Sequence, residues 1–224
     1  MHKEELDIGG LVLYKNNQLI AFNKPAGLPV VSDKTGDKSM AVFGQSYCKS
    51  KLGLIHRLDR PASGAVLFAR TEGALAALNE QFRNREVEKV YLAAVAVRPE
   101  QDEGRLIHYL RKDGRKNQAM IAAEKDRNSK KAELSYRYLQ SSEHYHLLEI
   151  RLHTGRHHQI RAQLAAIGSP IKGDVKYGFR RNNPDRSIHL HAWKLAFRHP
   201  VSGQRELIIA PLPEGDPVWS AFQI

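Results

Sequence analysis

The feature that most limits how this chain can fold is a long succession of short apolar stretches, few of which carry helical spacing. Leu11 to Tyr14 and Leu19 to Phe22 flank the polar Lys15-Asn16-Asn17-Gln18 and read as an opening β-hairpin. Further strand-like stretches follow at Gly53 to Ile55, Ala65 to Ala69, Val90 to Val97, Arg105 to Leu110, Ala119 to Ala122 and Ala132 to Leu139, then at Leu148 to Leu152, Arg186 to Arg198 and Arg205 to Ala210. Leu148, Ile150 and Leu152 alternate with Glu149 and Arg151, the period of a half-buried strand, and Trp193, Leu195 and Phe197 share one strand face. Helical signals occur in three places. A short helix is expected from Ser39 to about Lys51, and a second is capped by Thr71, carries Leu75, Leu78 and Phe82, and ends near Asn84. A third starts near Arg156, buries Ile160, Leu164 and Ile167, and stops at Gly168 before Pro170. Strands this numerous, without strict alternation with helices, predict an α+β fold: a mostly antiparallel central sheet with flanking helices. The tail from Pro217 to Ile224 is expected to pack Trp219 or Phe222 back on the body.

Charge narrows the partner. The chain has 224 residues, and 35 Lys+Arg against 24 Asp+Glu leave a formal net charge of +11. Such an excess implies a polyanion, nucleic acid first; the plain alternative is a basic surface kept for solubility. A single cysteine, Cys48, excludes an internal disulfide and points to a reducing compartment. No apolar run reaches the length of a signal-peptide core or a membrane span, so a cytoplasmic protein without a membrane partner is expected. There is no phosphate-binding loop of the Walker type, no dinucleotide-binding glycine pattern and no catalytic pattern around Cys48, so no cofactor is implied. His153 and His157 are four apart, but Gly155 interrupts them, and His189 and His191 are joined by no thiol or carboxylate cluster; no metal site is expected.

The stretch His56-Arg57-Leu58-Asp59-Arg60-Pro61-Ala62-Ser63-Gly64 is the candidate for chemistry. It sets one acid between two arginines in a turn between two apolar stretches, and reactive groups favour loops fixed between rigid strands. Read alone, Asp59 can equally be a surface partner of Arg57 or Arg60.

This stretch resembles the signature of the RluA-type RNA pseudouridine synthases, and three others match that family in the same order: Asn23-Lys24-Pro25-Ala26-Gly27-Leu28-Pro29-Val30, Lys89-Val90-Tyr91-Leu92-Ala93 and Thr154-Gly155-Arg156-His157-His158-Gln159-Ile160-Arg161. Ala62 departs from the pattern, many members having Thr there, and no S4 RNA-binding domain precedes Leu11. The resemblance implies one catalytic domain over residues 1 to 224, its core from about 11 to 210, with a cleft across the sheet. It implies isomerisation of uridines in ribosomal or transfer RNA by a monomer, with no protein partner indicated. Asp59 is then the catalytic residue, Arg161 its ionic partner with Arg156 the second choice, and Tyr91 the residue that stacks on the target base. Arg57 would enter the RNA in place of the extracted nucleotide, and Lys24 either touches phosphate or flanks the turn.

The chemistry sets its own demands. The N1 to C1′ glycosidic bond breaks, the uracil turns, and its C5 joins the same sugar, so an ionised carboxylate is needed near C1′ in a pocket that holds the base and excludes water. Attack on C1′ and abstraction of a sugar proton are both open to Asp59. A carboxylate in a dry cleft needs a cation nearby, and base extraction costs a few kcal/mol of unstacking. Residues 111 to 131 carry eight basic against three acidic side chains, and read as a mobile finger, loose until it meets RNA. A catalytically idle RNA-binding or RNA-folding protein is the rival reading, and a metal-dependent nuclease a weaker third.

Overall fold

The computed structural model describes residues 6–32 and 35–224. Among the described residues eleven strands form one sheet: β1 (Val12–Lys15), β2 (Leu19–Lys24), β3 (Gly53–Leu54), β4 (Ser63–Ala69), β5 (Glu88–Val95), β6 (Glu103–Asp113), β7 (Gln118–Ala122), β8 (Lys130–Ser141), β9 (His146–Leu152), β10 (Leu190–Arg198) and β11 (Arg205–Ile209). Three α-helices accompany them there: α1 (Met40–Cys48), α2 (Glu72–Asn84) and α3 (Gln159–Ala166). The strand order is β1-β2-β4-β10-β5-β9-β8-β6-β7, with β3 on β4 and β11 on β10. Every pairing of these strands is antiparallel except β4 with β10, where His191 faces Ser63 and Ala192 faces Gly64. This is the expected α+β architecture.

The parallel seam fixes where chemistry can sit. Gly64 has φ +110, and a Cβ there would lie 2.4 Å from the Ala192 carbonyl oxygen, so only glycine lets the strands close at this point. The loop that ends at Gly64 therefore opens over the middle of the sheet.

Local chemistry explains the helices. Ser39 and Thr71 are N-caps whose hydroxyls accept from the Val42 and Ala74 amides, and α2 lays Ala74 and the fully buried Leu78 on Leu19, Leu67, Leu195 and Phe197. A second cluster joins α3, through Ile160 and Leu164, to Ala93, Leu148, Ile150 and Leu190. Trp219 and Phe222 are both buried on Leu92 and Leu147, as expected of the tail. Among the described residues no helix is long and apolar enough to cross a membrane.

Several expectations need correction. β3 spans two residues and Leu54 is 38% exposed, so the run before the Asp59 loop is not a buried strand. β5 stops at Val95, ahead of the turn around Arg98 and Pro99, and Val97 is exposed. β9 is not half-buried: it lies between β5 and β8 with the tail on Leu147, so Leu147 to Ile150 are all buried and Glu149 is only 8% exposed. Trp193 does not share a cluster with Leu195 and Phe197, because an irregularity between Ala192 and Lys194 sends it toward the tail residues. Residues 111 to 131 are seated rather than loose: Leu110 and Ala119 pack with Ala132 and Ala162 of α3, and Arg111 pairs with Asp126 at 2.8 Å. The charges stand on outer faces, where water solvates them and screens their repulsion, so the apolar side of the hairpin is free to pack.

Candidate active site

Asp59 sits in a loop held from three directions. Its carbonyl accepts from the Ala62 amide at 3.1 Å, the Pro61 carbonyl accepts from the Ile188 amide at 3.0 Å, and the Arg60 carbonyl accepts from the Gly27 amide at 2.8 Å. Arg60 Nε donates back to the Gly27 carbonyl at 2.8 Å, so the turn at residues 25 to 28 and the Asp59 loop are tied both ways. Leu58 anchors the loop in the cluster of Phe22, Met40 and Phe68. Ala62 is packed among Ile160, Leu164 and Leu190, so its missing hydroxyl leaves no polar neighbour in that apolar cluster wanting.

Lys24 completes this scaffold from below. It is 0% exposed, and its Nζ donates to the carbonyls of Pro25 and Leu28 at 2.9 Å and of Arg60 at 3.3 Å. Of the two roles open to it, the structure favours holding the turn: the ammonium is engaged by carbonyls and has no surface for a phosphate, which corrects its expected place among substrate-binding residues. Burial pushes its pKa down to about 7, with Asp59 opposing that shift and Arg60 adding to it.

The carboxylate meets its cation across the cleft. Arg161 Nη1 lies 3.1 Å from Asp59 Oδ2, although 102 positions separate the two residues. The same guanidinium forms a two-pronged bond to Asp174, Nε to Oδ2 at 2.7 Å and Nη2 to Oδ1 at 2.8 Å. Burial would favour loss of the Arg161 charge, but Asp174 first and Asp59 second outweigh it, and the pKa moves upward. Asp174 is buried, and sequence reading missed it; its one signal is an acid directly after Gly173, whose φ of +87 turns the chain there.

A second line of contacts reaches Asp59 through histidine. The Ala119 amide of β7 donates to the Tyr177 hydroxyl at 2.7 Å, and that hydroxyl lies 2.9 Å from His158 Nδ1. Since the Tyr177 oxygen already accepts, its proton belongs toward Nδ1, which leaves the proton of His158 on Nε2, 3.7 Å from Asp59 Oδ2. Burial first, then Arg161, holds the His158 pKa down to about 2, and burial raises that of Tyr177 to about 12, so both stay neutral at ordinary pH. His158 has φ +50, and the Gln159 side chain accepts from the Arg156 amide at 2.9 Å. These two features start α3 at Gln159 rather than near Arg156.

The cleft around Asp59 encloses about 810 Å³ and is bordered by Arg57, Tyr91, Lys112, Arg156, His157 and Arg161. Tyr91 lines it from β5, and burial together with the charge of Asp59 holds its hydroxyl protonated. Arg57 is exposed at the rim, while Arg156 turns its Nε to the Lys131 carbonyl at 3.0 Å, so of the two arginines near α3 only Arg161 meets the acid. Lys24 apart, all the expected site residues border one cavity.

The donors do not suit a metal. Asp59, His157 and His158 offer atoms within 4.8 Å of one another, but the two imidazoles stack at 3.8 Å and 23°, which sets their in-plane lone pairs side by side instead of convergent. Arg161 and Lys112 add positive charge beside them. The histidines flagged by spacing are engaged elsewhere: His153 with Ser135 at 2.8 Å, His189 with Asp216 at 3.1 Å and His191 with Ser63 at 2.8 Å.

Comparison with known proteins gives the family and the fold. The profile of the family described as RNA pseudouridylate synthase matches residues 18–166. The chain is 32% identical over 233 residues to tRNA pseudouridine synthase C of Vibrio cholerae, covering 94% of this chain and 93% of that one. It is 31% identical to ribosomal large subunit pseudouridine synthase D of Zymomonas mobilis, covering 95% of this chain and 72% of that protein. The fold is similar to that of human RNA pseudouridylate synthase domain containing 4, with a TM-score of 0.76 at 24% identity, over 92% of this chain and 90% of that one. On the profile match and these relatives, the chain belongs to the RNA pseudouridylate synthase family, enzymes that isomerise uridine in RNA.

Proposed function

We propose that this protein converts a specific uridine of a ribosomal or transfer RNA stem-loop to pseudouridine, with Asp59 as the catalytic carboxylate. The observation that carries the reading is the Asp59 to Arg161 pair at 3.1 Å in a cleft that also presents Tyr91. In this account Arg161 faces the Asp59 carboxylate with a compensating charge, and Asp174 fixes the guanidinium so that one nitrogen remains for Asp59. Tyr91 stacks on the uracil, which matters because the base must stay bound while it turns; such stacking is worth about 1 to 3 kcal/mol. Arg57, exposed at the rim, fills the place vacated by the extracted nucleotide and offsets part of the unstacking.

The atoms balance without a cofactor: N1 leaves C1′, C5 takes its place, the proton on C5 departs and N1 gains one. The loop ties at Gly27 and Arg60 keep Asp59 from following the substrate, so the carboxylate meets C1′ at a fixed position. The single sheet supports reading about residues 11 to 210 as one catalytic domain. The lone Cys48, with no disulfide, supports a cytoplasmic enzyme, and we take it to act as a monomer.

Pseudouridine mapping of total RNA from cells with and without this gene tests the reading. One or a few positions that lose pseudouridine only in its absence, and regain it when the purified protein is added to that RNA, are expected. Identical maps and no product in vitro would overturn it.

A further inference from the structure

Beside the catalytic cleft lies a second, smaller cavity of about 280 Å³, bordered by Arg85 at the end of α2, Lys89 of β5 and Arg151 of β9. Lys89 and Leu152 line both cavities, so the small one adjoins the large one. The elements hold its cations in place. Arg85 caps α2 in the left-handed conformation with φ 64, and Lys89 lies over the Phe82 ring at 5.8 Å, near the Gly155 backbone.

Two acids, Glu88 and Glu133, also border this cavity, and each acid in reach already has a cation, Glu149 sharing the cavity's own Arg151. Glu88 pairs with Arg205 at 3.0 Å, Glu133 pairs with Arg105 and with Lys131 at 3.3 Å, and Glu149 is shared between Arg137 and Arg151, each at 3.5 Å. Among the described residues, three cations thus border a cavity without an undivided counterion. Burial first, and the charge of Arg85 second, pull the Lys89 pKa down. An anion placed there relieves the repulsion. The lining offers Val87, Val90 and Leu152, with no Phe, Tyr or Trp and its one ring, His153, held by Ser135 at 2.8 Å, whereas its guanidinium groups suit a phosphate's paired oxygens.

We propose that Arg85, Lys89 and Arg151 form a seat for a backbone phosphate of the RNA strand that leaves the catalytic cleft. The inference rests on the pseudouridine synthase reading for its ligand, because the cavity adjoins the cleft in which that reading puts the target uridine. The seat fixes the strand where it leaves the cleft beside Lys89 and Leu152. It reads position along the strand and not base identity.

The double variant Arg85→Gln/Arg151→Gln, bound to an unmodified tRNA transcript, tests it. Between about 50 and about 200 mM salt, the slope of log affinity on log salt should fall by about 0.7 to 0.9 for one phosphate no longer neutralised, with affinity roughly tenfold weaker at the low-salt end. Arg85→Lys/Arg151→Lys should restore the slope, which a merely structural role would not require. If the double variant fails to fold, Arg85→Gln alone, at an exposed helix end, is read in the same way. Unchanged slope and affinity in a variant with native melting would overturn the seat. Binding does not need turnover, so the two claims separate: a wild type that makes pseudouridine beside a variant of unchanged slope removes the seat alone. A reduced slope beside a wild type that makes no pseudouridine supports the seat and removes the enzyme reading.

Discussion

Arg161 serves two acids, and the division of labour between them is the main lesson at the scale of single residues. Asp174, buried and bound through both oxygens, takes the guanidinium's long edge and leaves Nη1 for Asp59. Replacing Asp174 with Asn keeps the shape and removes the charge that fixes the guanidinium. Since displacement of about 1 Å costs about 10²-fold, Asp174→Asn should lower kcat by about ten- to a hundredfold and leave KM nearly unchanged. Steady-state kinetics decides: a rise in KM at constant kcat would show that Asp174 acts on RNA binding instead. Asp59 was legible only through the four ordered motifs of the resemblance, since a lone acid between two arginines reads equally well as a surface partner. Asp174 was not, since its meaning depends on a partner brought to it by α3. Lys24 was half legible: its turn could be read, but not that its ammonium is occupied by three carbonyls.

Among elements, the β6-β7 hairpin and α3 act on the site together. The hairpin's Ala119 amide holds Tyr177, Tyr177 holds His158, and His158 faces Asp59, so the hairpin's seating is transmitted to the Asp59 carboxylate. Its charge serves a second purpose: Lys112 and Asn117 border the cleft, with Arg111, Arg115 and Lys116 on the same hairpin. Neutralising Arg111, Lys112, Arg115 and Lys116 to Gln should flatten the salt dependence of RNA binding, by about 0.7 to 0.9 for each phosphate left without its cation. Slope and affinity both unchanged would place this charge off the RNA path. Strand positions were legible here because period-2 alternation survives in sequence. The packing was not, since it turns on Leu110 and Ala119 meeting Ala162 across long sequence separations.

For the whole molecule, the parallel seam between β4 and β10 joins the strand that follows the Asp59 loop to the middle of the sheet. His191 crosses it: Nδ1 lies 2.8 Å from Ser63 Oγ and Nε2 lies 3.2 Å from the Ala210 carbonyl, which places the single imidazole proton on Nε2. Protonating Nδ1 would displace the Ser63 hydroxyl's donation, and burial holds the pKa down to about 4 against an ordinary 6.5. As pH falls, the unfolded chain takes up this proton first, so the stability is full above pH 6.5 and is lost as pH falls through about 4. His191→Asn should therefore lose less stability than the wild type between those limits, by roughly 1 to 3 kcal/mol in urea unfolding. Equal losses would assign the acid sensitivity to other groups, half-buried His56 among them. The sheet's antiparallel character could be read from strand number and order. The one parallel pairing could not, because it depends on Gly64 approaching Ala192 more closely than any side chain allows.

The central claim is that one carboxylate, held by Arg161, performs the isomerisation, and turnover by Asp59→Asn on an RNA modified by the wild type tests it most directly. The variant loses charge and little volume, so RNA affinity within severalfold of wild type and no detectable pseudouridine are predicted. Substantial residual product from a clean preparation of that variant would contradict the account.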